Sequence, residues 1–89
     1  MNKKTPMTLA DKIRLYVLKH KIEPARVRGE PMITIFAREI HAEMHLPAPV
    51  RAVEGALDDP GFEAYAGVRL LERSGRRGSP KAKWVYGIE

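Results

Sequence analysis

The chain has 89 residues, 44% hydrophobic and 30% charged, a balance that fits a single globular domain and excludes both a largely disordered chain and a deep cleft between lobes. It contains no cysteine, which removes disulfides, thiolate zinc sites and thiol nucleophiles together. The formal charge of +5 is uneven: +4 over residues 1–47 (nine basic, five acidic), −3 over 48–67 (one against four) and +4 over 68–89 (six against two), which fits an anionic partner or ordinary solubility equally well until position on the fold decides between them.

Residues 1–7 read as a flexible tail carrying Lys3 and Lys4, ahead of a single domain over 8–89. Asp11, Lys12 and Arg14 interrupt the apolar stretch that an export signal needs, and no run reaches membrane-spanning length, so a cytoplasmic protein with no membrane partner is expected. Thr8 with Asp11 three residues on has the form of a capping box, and Leu9, Ile13, Tyr16, Val17 and His20 follow at helical spacing. Pro24 biases Glu23 away from helical angles, which predicts that this first helix stops at residue 21 or 22. "PARVRGEP" then reads as a loop with two exposed arginines.

"MITI" predicts a short strand, with Thr34 capping a second helix over 35–45 whose apolar face is Phe36, Ile40 and Met44. Pro47 and Pro49 end that helix, and Pro49 suits the first position of a third, striped by Val50, Val53 and Leu57. "DDPGFEAYAG" is turn chemistry with Phe62 and Tyr65 as core anchors. From Val68 the period becomes two, with Val68 and Leu70 on one face and Arg69, Leu71 and Arg73 on the other. "SGRRGSPK" forms a basic hairpin tip, and Ala82, Trp84, Tyr86 and Ile88 alternate along the closing strand, which predicts a buried Trp84.

The stretch "FAREIHAEMH" places His41 and His45 four residues apart, a spacing that invites a metal reading. At 100° per residue both fall beside Arg38, on the side away from Ile40, and are expected to face solvent, while His20 is expected to be half-buried. The intervening Glu43 is two residues past His41, not directly after it as zinc peptidases require, and a neighbouring arginine repels cations, so no metal is expected. G-x-S-x-G, G-x-x-x-x-G-K-[ST] and G-x-G-x-x-G are all absent, and adjacent Asp58 and Asp59 ahead of Pro60 and Gly61 make a turn in preference to a paired acid and base. Neither an enzyme nor a cofactor is expected.

Helix, strand, helix, tight turn, helix and hairpin in this order, carried by "FAREIHAEMHLPAPVRAVEGAL" and "VRLLERSGRRGSPKAKWVYGI", resemble the winged helix-turn-helix family over most of the chain. The fold the resemblance implies is a small α+β winged helix-turn-helix with three helices, a C-terminal β-hairpin wing and a short additional strand. His45 stands where such families commonly have glycine, which implies a left-handed residue.

The function implied is sequence-specific binding of double-stranded DNA by a small transcriptional regulator acting as a homodimer. The third helix would enter the major groove, with Arg51 on guanine and Glu54 on cytosine. Arg76, Arg77, Lys81 and Lys83 of the wing would meet phosphates or the minor groove, and Arg38, Lys3 and Lys4 the backbone; Pro49 and Arg73 complete the expected surface. The alternative is a winged-helix protein-protein interaction module, favoured by the neutral-to-acidic third helix; structured RNA is a third reading, which lacks a platform of exposed aromatics.

Overall fold

A computed structural model describes residues 7–79 and 81–88. The expected tail, with Lys3 and Lys4, lies outside the described residues apart from Met7. The described chain is a small α+β fold, four helical rods on one face of a three-stranded antiparallel sheet.

The first rod opens with α1 (Leu9–Val17), and its capping box forms as expected: the Asp11 N–H donates to the Thr8 hydroxyl and the Thr8 N–H to the Asp11 carboxylate, each at 3.1 Å. Pro24 does not stop the helix, contrary to expectation. Over Leu18–Ile22 the backbone widens into a π-helical turn in which the Glu23 N–H reaches the Leu18 carbonyl five residues back. α2 (Glu23–Val27) then continues with Pro24 in its first turn, where a missing N–H costs little. The added width relieves the clash that would have ended an ordinary helix at residue 22. "PARVRGEP" is therefore helical over its first half. Arg26 belongs to the helix, donating from Nη2 to the Ala66 carbonyl at 2.8 Å, while exposed Arg28 pairs with Glu30 at 2.8 Å.

β1 (Met32–Phe36) includes Thr34, which is thus a strand residue and not the expected helix cap; α3 (Ala37–Met44) starts at Ala37 with Phe36 at its cap. α3 ends on His45, left-handed at φ 50°, ψ 49°, as implied above. The His45 N–H donates to the Ala42 carbonyl and the Leu46 N–H to that of His41, the paired bonds of a Schellman end. α4 (Arg51–Leu57) begins two residues later than expected, because Pro49 and Val50 form a tighter turn whose carbonyls accept from Ala52 and Val53. "DDPGFEAYAG" contains a further helix, α5 (Phe62–Ala66); Phe62 is buried as expected, but Tyr65 is exposed.

β2 (Val68–Ser74) and β3 (Lys83–Ile88) form the hairpin, and β3 lies between the other two strands in the order β1-β3-β2. Leu70 opposes Tyr86 and Glu72 opposes Val85, so Leu71 is the extra residue of a bulge. One core joins the elements: Ile13, Val17 and Ile22 from the first rod, Ile40 from α3, Val53 and Leu57 from α4, and Phe62, Trp84 and Tyr86. Trp84 is fully buried, as its strand position predicts. Among the described residues no helix is long and apolar enough to cross a membrane.

Candidate functional site

The bulge at Leu71 decides what the hairpin can present. Simple alternation puts Arg73 outward with Arg69, but one inserted residue turns every later side chain to the other face. Arg73 therefore opposes Trp84 on the inner face, its guanidinium 4.6 Å above the indole. From there its Nε and Nη2 donate to the two oxygens of Asp58 at 3.0 and 3.2 Å, and its Nη1 donates to the carbonyls of Ser74 and Gly75 at 2.9 and 3.0 Å. The Trp84 indole N–H donates to the same carboxylate at 2.8 Å. Burial works against ionisation of Asp58, but the bonds from Arg73 and Trp84 and the arginine's charge outweigh it and hold the carboxyl below its usual range. Arg73 is thus half-buried with its donors committed to the fold, and not turned outward as expected of a contact residue.

Glu54 is withdrawn as a contact residue. It is 2% exposed, and both its oxygens accept from the Gly78 N–H, at 2.9 and 2.8 Å, with Arg73 Nη2 3.6 Å from Oε1. A side chain expected to reach a base edge instead ties α4 to the hairpin tip. No sequence signal marked this, because the contact spans 24 residues and depends on how far the tip folds back.

Five of the remaining basic residues expected at the site, Arg38, Arg51, Arg77, Lys81 and Lys83, gather along two hollows. An open groove of about 800 Å³ runs between the start of α3 and the hairpin, lined by Phe36, Arg38, Glu39, Ser74, Gly75, Lys81 and Lys83. Arg38 and Lys81 are exposed and Lys83 half-buried. A smaller hollow of about 220 Å³ lies between α4 and the tip, lined by Arg51, Glu54, Gly55 and Arg77. Arg76 and Pro49 are exposed but line neither. Measured against protein-family models, curated proteins and solved structures, the chain has no match. What the site can do follows from its side chains: one carboxylate, Glu39, stands among three cations in the first groove, and in the second the carboxylate of Glu54 faces inward while Arg51 and Arg77 are exposed. Such hollows suit a polyanion better than a neutral ligand.

Two of the three histidines depart from expectation, and His45 does not. His41 is part-buried, and its Nε2–H donates to the Ala48 carbonyl at 2.6 Å, bracing the turn between α3 and α4. His45 is exposed at the helix end, and His20, expected half-buried, is exposed and stacked on Tyr16 with ring centroids 4.4 Å apart. Among the described residues no three His, Asp or Glu side chains gather as a metal would need. Asp59 accepts from Arg14 at 3.1 Å and turns away from Asp58, which is bound to Arg73 and Trp84.

Proposed function

We propose that the chain is a winged helix-turn-helix protein that binds double-stranded DNA, a small cytoplasmic regulator with α4 directed to the major groove and the β2–β3 hairpin as its wing. The observation that carries this is the gathering of Arg38, Lys81 and Lys83 between α3 and the hairpin, and of Arg51 and Arg77 between α4 and its tip, three elements that such a protein would turn to the duplex. The order of elements, the β1-β3-β2 sheet and the turn braced by His41 support the same reading. Arg51 is the base-reading candidate, while Arg38, Arg76, Arg77, Lys81 and Lys83 serve phosphates. Symmetric sites bound by a homodimer would double the few base contacts one α4 offers.

The test is equilibrium binding to a pool of randomised duplexes at two salt concentrations, followed by the selected sites one at a time. The expected result is affinity that falls steeply with salt. Arg51→Ala should cost ~1–3 kcal/mol on the selected site and far less on unrelated duplex. One observation favours a second reading, a protein-interaction module: Arg51 is the one basic residue of α4, and exposed Asp58 and Asp59 follow it. Absence of salt-sensitive duplex binding would leave that alternative in its place.

A further inference from the structure

We infer that Glu54 is a positioning residue for DNA binding, whose buried carboxylate fixes the wing tip so that Arg76 and Arg77 are held at a set distance from Arg51. This rests on the DNA reading above and adds to it the device that sets the wing against α4.

The tip is held at both ends. On the β2 side Arg73 grips the carbonyls of Ser74 and Gly75; on the far side Glu54 grips the Gly78 N–H with both oxygens. Between the two grips lie Arg76 and Arg77, both exposed. The turn is also bonded internally, Ser79 N–H to the Arg76 carbonyl at 2.9 Å and Ala82 N–H to that of Ser79 at 3.1 Å. At Gly75, φ is +90° and a Cβ would stand 2.7 Å from the Ala82 backbone, so the chain crosses too closely there for any other residue.

A buried carboxylate is a poor choice for stability alone, since an apolar residue of similar volume commonly serves as well or better. What an apolar residue cannot do is accept the Gly78 N–H. Without that bond the tip and its two arginines would have to be ordered on binding, at a cost in affinity.

The experiment is a double-mutant cycle on the full chain between Glu54→Met, which fills the volume without an acceptor, and the pair Arg76→Ala/Arg77→Ala, read by duplex affinity and its salt slope, with amide exchange at Gly78 followed in the free proteins. Glu54→Leu, also without an acceptor, repeats the cycle should the methionine variant fold poorly, and Glu54→Gln, whose amide oxygen can still accept the Gly78 N–H, is the conservative rescue. The expected result is faster exchange at Gly78 and about tenfold weaker binding in the acceptor-free variant, with that loss vanishing once Arg76 and Arg77 are gone and largely absent from Glu54→Gln. An acceptor-free variant that binds like the wild type, or loses equally in both backgrounds, overturns the positioning role and leaves the DNA reading standing. A wild type that ignores duplex DNA overturns both, whatever Gly78 does.

Discussion

The root and the tip of the β2–β3 hairpin use the same side chain for opposite ends. At the root, Arg73 lies over Trp84 and gives its donors to Asp58, Ser74 and Gly75; three and four residues on, Arg76 and Arg77 are exposed to solvent. Each is a cation in a basic segment, and sequence alone makes them look alike. The difference teaches that the partner within reach decides whether an arginine serves the fold or a ligand. Asp58 and the Trp84 ring are within reach at the root, brought there by the Leu71 bulge. Root substitutions should therefore cost stability, and tip substitutions should cost binding alone.

The largest effect is expected at Trp84. Truncating a fully buried indole leaves a cavity and strips Asp58 and Arg73 of a partner, so Trp84→Ala should lose ~3–5 kcal/mol, a large part of what a domain of this size has. Denaturant unfolding checks it, and a loss under ~1 kcal/mol would mean the root is not where the hairpin is anchored.

Asp58→Ala should come next, at about 2 kcal/mol, since it removes the acceptor of one indole and two guanidinium donors in a partly exposed setting. The same carboxylate predicts a pH dependence. Its folded pKa is depressed, so its contribution is present above the ordinary carboxylate pKa and is lost as pH falls through the lower folded value. Asp11 and Glu43 are depressed as well, Asp11 by its bonds to Thr8 and Glu43 first by Lys21, and they act in the same direction. Stability should fall below about pH 4. In Asp58→Ala that acid limb should be shallower, which urea midpoints from pH 2 to 6 would reveal.

The same contrast separates what was legible in the sequence from what was not. Alternation in "KWVYGI" marked Trp84 and Tyr86 as inward, and helical spacing marked Ile40, Val53 and Leu57, because one buried face repeats at a fixed period. His45 was legible through the resemblance, since it stands where such families commonly have glycine, and it does close the helix in the left-handed region. Pro24 misled because a π-helical turn, which has no local signature here, absorbed it. Glu54 and Arg73 misled for a related reason: a one-residue bulge and a contact 24 residues long placed them inside, and neither leaves a mark in spacing or composition. At the candidate site, then, the exposed cations were legible and the residues that hold them in place were not.

A smaller effect is expected where the root carries an uncompensated polar atom. Tyr86 is 1% exposed, its hydroxyl finds no hydrogen-bond partner among the described residues, and burial pushes its pKa up, against ionisation. Since a buried hydroxyl without a partner costs about 1–3 kcal/mol, Tyr86→Phe should be neutral or stabilise by up to ~1 kcal/mol, with the ring still 5.4 Å from that of Phe62. A clear loss of stability on thermal unfolding would show the hydroxyl to be satisfied in solution.

The smallest effect on stability belongs to the tip. Arg76 and Arg77 are exposed, and neither side chain donates to a partner among the described residues, so replacing both by alanine should change unfolding free energy by no more than ~0.5 kcal/mol. Duplex binding should respond quite differently: two fewer phosphates neutralised means a log–log salt slope shallower by about 1.8, alike on every sequence, because backbone contacts carry no base information. Unfolding and salt titrations on this one variant thus test both halves of the contrast. A tip variant that unfolded early would join Arg76 and Arg77 to the root's work, and one that bound duplex with an unchanged slope would leave the tip without the role proposed for it.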